Sequence, residues 1–190
     1  MRLIVLALLA LPLAGSPAFA DGVVQNLITK PDKARLDAYT DTRAAALAEA
    51  RGGDAAEVAK LDASLAMPEQ SFSGLDLTGN WKCRTIKAGG LAKLVVYDWF
   101  NCKVTDDGSG WLLEKTSGSQ RTKGRFYTDS DTRQIYLGSF FVAGDAPKPY
   151  GAGPDSDQVG YAFRTGAETW RIELPAPRYE SRLDILEFRR

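Results

Sequence analysis

Residues 77–104 read LTGNWKCRTIKAGGLAKLVVYDWFNCKV and hold both cysteines of the chain, Cys83 and Cys102. On either side of Gly89-Gly90, apolar side chains recur at every second position, which is the period of a half-buried β-strand. A glycine pair between two such runs is typical of a hairpin turn. The stretch therefore predicts two paired antiparallel strands linked by a disulfide.

The register of this hairpin conflicts with a tight turn. Such a turn at the glycine pair would place Cys83 opposite Val96 rather than opposite Cys102. The disulfide therefore requires a bulge, a longer loop around residues 87–92, or a bridge between positions that are not direct neighbours. We give the disulfide precedence, since closing its loop is worth about 3 kcal/mol.

The alternating pattern continues to the C-terminus, interrupted by short turns rich in Gly, Asp and Ser. Eight antiparallel strands are enough to close a sheet, and closure removes the two exposed edges that an open sheet has to protect. We therefore predict an eight-stranded antiparallel barrel of the calycin or lipocalin kind over residues 76–190. Its strands are expected at 77–86, 92–104, 110–117, 121–128, 133–142, 158–164, 168–174 and 183–189.

Alternation also predicts which side chains face the barrel interior. One face is apolar and the other carries Lys, Arg and Glu, as in a sheet with one face in water. The predicted inward residues are Trp81, Cys83, Leu94, Val96, Asp98, Phe100, Cys102, Val104, Gly124, Phe126, Tyr136, Gly138, Phe140, Val142, Val159, Tyr161, Phe163, Trp170, Ile172 and Leu174.

Two strands have apolar residues on the outward face as well. We predict that helices pack there, on patches formed by Ile135, Leu137, Phe141, Leu186 and Phe188. Val95, Tyr97 and Trp99 form a third outward ridge, which is a partner surface unless the helices cover it.

Residues 21–75 carry helical signals. The stretch from Thr29 to Asp32 offers a capping threonine with proline in the first turn, and Gly52-Gly53 ends that helix. A second capping pattern at 54–57 starts another helix, which Pro68 stops. We predict a helical hairpin that leans on the barrel, with a mobile appendage as the alternative.

The first twenty residues have the layout of a secretory signal peptide. Arg2 is followed by an apolar run over residues 3–13 and by a small-x-small motif that ends at Ala20, directly before Asp21. Cleavage between Ala20 and Asp21 would export the protein to the periplasm or beyond, where a disulfide is stable. We expect a soluble protein without stable membrane insertion.

Composition narrows the function classes. The chain has 24 basic and 24 acidic residues and no histidine. A neutral surface without a basic run argues against nucleic-acid binding. Without histidine, neither Ser139 nor Ser181 can belong to a Ser-His-Asp triad, and a Ser-Lys variant has no supporting motif. We therefore expect a non-enzymatic protein with no metal and no cofactor.

Several motifs resemble known families. Gly79-x-Trp81 resembles the Gly-x-Trp of lipocalin-like calycins, and with the two cysteines it resembles small periplasmic inhibitors of secreted metalloproteases. The order of signal peptide, helical hairpin, Leu-x-Gly-x-Trp-x-Cys, Trp-Phe-x-Cys, a Pro-Tyr-Gly loop and a closing Leu-Asp-x-x-Glu-Phe-Arg-Arg resembles an uncharacterised exported proteobacterial family, domain of unknown function 4893. This resemblance implies an architecture and no activity.

Candidate ligand-binding residues lie on the predicted inward face and on two irregular segments between strands, residues 143–157 and 175–181. Asp98 is an acid among apolar positions, where it needs a partner or water, and a structural ion pair or an outward-turning bulge is the alternative. Asp155 and Asp157 suggest calcium ligands or, without an EF-hand spacing, solvated turn acids. The predicted binding set is Asp98, Phe100, Tyr136, Phe140, Tyr150 and Arg178.

We interpret the chain as a periplasmic binding protein for a small apolar ligand in the barrel or for a protein partner at its rim. An inhibitor of a periplasmic or secreted hydrolase is the alternative. The ligand version requires an open interior. An interior filled by Trp81, Phe100, Phe126, Phe140, Tyr161 and Trp170 would move the function to the surface.

Overall fold

The computed structural model describes residues 21–190, with side chains from residue 24 onward. The predicted signal peptide over residues 1–20, with its cleavage site, lies outside the described residues. The helices are α1 (Asp21–Leu27), α2 (Lys30–Asp37), α3 (Tyr39–Ala50) and α4 (Ala55–Leu65). The strands are β1 (Gly79–Gly90), β2 (Leu94–Val96), β3 (Phe100–Asp106), β4 (Trp111–Lys115), β5 (Gln120–Ser130), β6 (Arg133–Val142), β7 (Asp157–Arg164), β8 (Thr169–Pro175) and β9 (Ser181–Arg189).

The strands form one closed antiparallel sheet. Each strand from β3 to β8 pairs with the next one along the chain, and β9 returns to pair with β1. The first half of β1 pairs with β3 and its second half with β2, so β2 and β3 together act as one interrupted strand. The prediction of an eight-stranded antiparallel barrel preceded by helices is therefore confirmed.

The β1 hairpin combines all three expected solutions to its register. Its turn is a longer loop, in which the Gly89 amide donates to the Lys93 carbonyl. Between the pairs Ile86–Val96 and Cys83–Phe100, residues 97–99 stand opposite two residues of β1, which is a one-residue bulge. The Cys83–Cys102 disulfide then forms between diagonal positions, with a Cα–Cα separation of 5.9 Å.

One half of the barrel interior is filled by large aromatic side chains. The Trp170 ring stacks on Phe188 with a centroid distance of 3.6 Å, and Trp81 and Phe126 approach it edge-on. The segment after α4 closes this end. The core is formed by Phe72, Leu77, Trp81, Cys83, Cys102, Val104, Leu113, Phe126, Tyr136, Ala162, Trp170, Ile172, Leu174, Leu186 and Phe188.

The helices cover part of the outer face of the barrel. Ala46, Leu47, Ala50 and Leu61 pack on β1, β2 and β9, and Val24 and Leu36 pack on β6 and β7. The patch at Ile135 and Leu137 was correctly predicted as a helix contact.

Several predicted orientations are wrong. Leu94 and Val96 on β2 were predicted to face inward but contact the helices. On β7, Val159 and Tyr161 also lie on the helix side, and the interior face carries Ala162 instead. In β9 the faces are exchanged: Leu186 and Phe188 are interior, and Leu183 and Ile185 lie under the helices. The cause is that helices make the outer face apolar too, so alternation alone does not tell inside from outside.

A buried polar contact joins the helices to the barrel. The Glu173 carboxylate, fully buried on β8, accepts hydrogen bonds from the Tyr39 hydroxyl at 2.7 Å and from Arg43 Nε at 2.6 Å. Arg171 on the same strand donates to it at 2.8 Å. A buried carboxylate needs such partners, so the outward charged residues of β8 hold α3 in place rather than facing water.

Candidate functional site: the polar mouth of the barrel

The interior becomes polar at the end of the barrel opposite to the segment after α4. Here β1, β4 and β6 end, and β5, β7 and β9 begin, so each contributes side chains to one mouth. The polar groups that line it include Lys87, Lys115, Thr122, Gln158 and Asp184. These residues are far apart in sequence, and only closure of the sheet brings them together.

Lys87 and Asp184 form the acid–base pair of the mouth. Lys87 Nζ lies 3.0 Å from a carboxylate oxygen of Glu180 and 3.5 Å from one of Asp184. Burial opposes the charge on Lys87, but these two acids outweigh it and raise its pKa. Burial also raises the pKa of Asp184, although Lys87 and a hydrogen bond from the Ser181 hydroxyl counteract this. The positive charge of Lys87 is therefore already matched.

Lys115 is the second cation of the mouth and has no direct ion-pair partner among the described residues. The residue is 7% exposed, and it takes part in no ion pair between described residues. Its Nζ lies 4.5 Å from the centroid of the Phe100 ring, a cation–π contact. Burial, reinforced by the charge of Lys87, lowers the pKa of Lys115 from 10.5 to about 8. The carboxylate of Asp184 opposes this lowering in part. At pH 7 the group is still mostly protonated, so the mouth holds an ammonium that forms no direct ion pair with a described carboxylate.

A hydrogen-bonded chain forms the floor of the mouth. Thr122 donates its hydroxyl hydrogen to Gln158 Oε1, so the contact of 2.6 Å with the Tyr136 hydroxyl has the tyrosine as donor. Tyr136 is fully buried, and its ring lies over Gly124 and Gly138. A Cβ at position 138 would come within 2.3 Å of its hydroxyl oxygen. The glycines therefore make room for the ring that separates the mouth from the aromatic core.

Two loops meet above the mouth. Arg178 of the β8–β9 loop donates to Asp155 of the β6–β7 loop at 2.8 Å. Phe140 packs against Tyr179 with a centroid distance of 5.5 Å. Asp157 is buried and accepts hydrogen bonds from two glycine amides of its own loop. It therefore shapes the loop, and among the described residues no group of acidic or cysteine side chains is arranged to hold a metal ion.

The space inside the mouth is small. Its volume is about 40 Å³, enough for a few water molecules. Outside it, a shallow apolar surface continues over Phe140, Val142, Tyr179 and Leu91, and Leu91 is 88% exposed. The mouth can therefore take a compact polar group while a larger apolar part lies on the rim.

Four residues of the sequence-predicted binding set converge on this mouth. Phe140 and Arg178 line it, Phe100 lies beneath Lys115, and Tyr136 reaches it through Thr122.

The other two do not join them. Tyr150 donates to Asp32 Oδ2 at 2.6 Å and binds its loop to α2. Asp98 is exposed in the bulge between β2 and β3, so its predicted inward orientation is wrong, and the bulge alternative is the correct one.

Sequence reasoning missed the two lysines. Lys87 lies four positions after the inward Cys83, and Lys115 lies two positions after the inward Leu113. Residues an even number of positions apart on a strand share one face, so both lysines were due to face inward. Treating lysine as an outward residue hid this signal, because buried lysine is rare. An inward lysine in an otherwise regular alternation was the available clue.

The fold and this mouth define a class: an antiparallel barrel of eight strands, filled at one end, polar at the other, and packed against helices. The chain belongs to the family described as Domain of unknown function (DUF4893), whose model matches residues 24–188. No curated protein and no solved structure gave a match. Of the helices in the described residues, none has both the length and the apolar character needed to cross a membrane.

Proposed function

We propose that this protein is a non-enzymatic binding protein that holds a small molecule by an anionic head group in the polar mouth. The single observation that carries the proposal is Lys115, a buried lysine whose ammonium forms no direct ion pair with a described carboxylate. Buried charges in proteins are normally paired. A ligand carboxylate at this position would supply the missing partner.

The size of the mouth supports a head group rather than a whole ligand. A space of about 40 Å³ holds a carboxylate but not a hydrocarbon body. The body would lie outside, on the apolar surface of Phe140, Tyr179 and Val142. The ligand class is therefore an amphiphile with one acidic group.

This proposal differs from the expectation of an apolar ligand inside the barrel. The rings of Trp81, Phe126 and Trp170 fill the interior, as in the alternative that moves the function to the surface. Tyr161 was expected to fill it as well but lies outside, against Tyr39. These rings take up the space that a ligand inside this half of the barrel would need. The filled interior therefore supports the proposal that a ligand binds at the mouth and its rim.

The test is a titration with octanoate, using octanol and octylamine as uncharged and cationic counterparts. Octanoate is expected to bind, and Lys115→Met to weaken it about 10- to 100-fold, the value of a hydrogen bond to a charged group. Lys103→Met is the matched control, because Lys103 is exposed on β3. Equal binding of octanol and octanoate, or an unchanged affinity in Lys115→Met, would contradict the proposal.

A protein partner is the second candidate, in the form of an inhibitor of a periplasmic or secreted hydrolase. It is favoured by the exposed apolar rim around Leu91. Export to an oxidising compartment belongs to both proposals and is supported by the buried disulfide. Native mass spectrometry of protein purified from its own cells distinguishes them: a retained small acid supports the first, and a retained protein supports the second.

A further inference from the structure

Lys115 carries a nitrogen that becomes a nucleophile once it loses its proton. A lysine is reactive toward carbonyl compounds when burial or a neighbouring cation makes its ammonium easier to deprotonate. Lys115 meets both conditions, because the residue is 7% exposed and Lys87 lines the same mouth. The proposed function uses only the protonated form, so the neutral amine has no role in it.

The amino group of Lys115 faces the mouth. The residue lies two positions after the interior Leu113 on β4, so its side chain points inward. The charges that act on its nitrogen belong to Lys87 on β1, Asp184 on β9 and Arg121 on β5, and these three residues line the mouth. A group that enters the mouth therefore comes close to Nζ.

The two lysines of the mouth differ in what holds their protons. Burial opposes the charge on Lys87, but its direct contacts with Glu180 and Asp184 raise its pKa. Lys115 has no such contact among the described residues, and burial, Lys87 and Arg121 lower its pKa to about 8 against the opposing charge of Asp184. At pH 7 about one Lys115 amine in ten is therefore neutral, whereas an ordinary lysine has fewer than about one in a thousand.

The shape of the mouth suits a terminal carbonyl group. Its space of about 40 Å³ accommodates the carbonyl carbon and oxygen. The apolar rim of Phe140, Val142 and Tyr179 lies outside, where a hydrocarbon chain attached to that carbon would pack. Enclosure also limits the access of water to the nitrogen, which protects a C=N bond from hydrolysis.

We propose that Lys115 Nζ binds an amphiphilic aldehyde covalently as an imine, with the aldehyde carbon in the mouth and its hydrocarbon chain on the rim. The neutral nitrogen attacks the carbonyl carbon, and the C=N bond forms as the C–O bond breaks. The nitrogen loses two protons and the carbonyl oxygen gains two, so the oxygen leaves as water and no oxidant or reductant is needed. The inference rests on the proposed function for the position of the chain on the rim, and it adds a covalent bond and a second class of ligand.

The experiment treats the folded protein with limiting octanal and sodium cyanoborohydride, which reduces an imine to a stable secondary amine. Peptide mapping by mass spectrometry then measures the octyl group on each lysine. At pH 7, Lys115 is expected to be modified about tenfold faster than Lys103, because its larger neutral fraction outweighs the lower nucleophilicity of a weaker base. Lys115→Arg keeps the positive charge and should remove this one site of rapid modification. Lys103→Arg is the matched control and should retain it.

Two comparisons within the wild type decide the proposal even if Lys115→Arg fails to fold. The preference for Lys115 over Lys103 should shrink between about pH 7 and about pH 10, since Lys103 gains neutral amine over that range and Lys115 has lost most of its protons above pH 8. It should also shrink when propanal replaces octanal, since propanal is too short to reach the rim.

Equal modification of Lys115 and Lys103 at pH 7, or the absence of an octyl group on Lys115, would overturn the proposal. A preference as strong with propanal as with octanal would overturn the role of the rim. Octanoate binding without a Lys115 imine would leave the proposed function standing and remove the covalent step. An imine without octanoate binding would do the reverse, so the two proposals fail or succeed separately.

Discussion

Tyr150 and Asp32 are 118 positions apart in sequence, and the tyrosine hydroxyl donates a hydrogen bond to the carboxylate at 2.6 Å. The same hydroxyl accepts the Thr29 amide at 3.1 Å, at the start of α2. Asp32 is 2% exposed and also pairs with Arg35. The β6–β7 loop is thus fastened to the helical layer rather than left free.

Tyr150→Phe should therefore lower stability and leave ligand binding at the mouth unchanged. Losing a hydrogen bond to a buried charge costs about 1.5–3 kcal/mol. The free energy of unfolding in urea measures it, and Tyr179→Phe, at a 43% exposed residue, is the control. An unaltered urea midpoint together with altered binding would reverse this assignment.

Glu173→Gln should destabilise the contact between α3 and the barrel by about 3 kcal/mol, the lower end for breaking a buried ion pair, since Arg171 keeps only the part-exposed Glu69 as a charge partner and Arg43 loses its own. Burial alone would raise the pKa of Glu173, but the hydrogen bond from Arg43 and the charges of Arg171 and Arg43 hold it below 4.5. The stabilisation is thus present above pH 4.5 and is lost as the pH falls through the lower folded-state value. Urea unfolding at several pH values should show the difference from wild type shrinking below pH 4.5. Exposed Glu168→Gln should show no such trend.

Lys115 should titrate near pH 8 when its side-chain carbon signals are followed by NMR. Its folded-state pKa is below the ordinary 10.5, so the unfolded state binds more protons between these values and this group makes stability rise with pH there. Lys87→Met should raise the Lys115 pKa, because a neighbouring positive charge is removed. A midpoint near 10.5 in the wild type would remove Lys115 from the proposed site.

Reduction of the Cys83–Cys102 bond should cost about 3 kcal/mol for a loop of this length. Both cysteines are almost fully buried, so reduction should require partial unfolding and be slow in native buffer. Urea unfolding with and without dithiothreitol measures the cost. A double variant with alanine at both positions should be equally unstable in both buffers, and a reductant effect in that variant would point to another cause.

Local sequence signals placed most of the elements. The Thr29 and Asp54 caps are used as expected, since each side chain accepts a backbone amide of its own helix. The first predicted helix is nevertheless divided at Ala38 into α2 and α3. That division follows the barrel surface: α2 contacts β7, whereas α3 contacts β1 and β9. A local pattern carries no information about such a surface.

By itself, the sequence determined the barrel, the disulfide and the positions of its strands, because alternation, turn residues and paired cysteines act over short distances. The tertiary structure decided which face of β7 and β9 is interior, because helices cover the outer side and make both faces apolar. It also decided the mouth. Lys87, Lys115 and Asp184 lie on three strands that meet only when β9 pairs with β1. Closure of the sheet therefore buries all three side chains together and pairs Asp184 directly with Lys87 but not with Lys115.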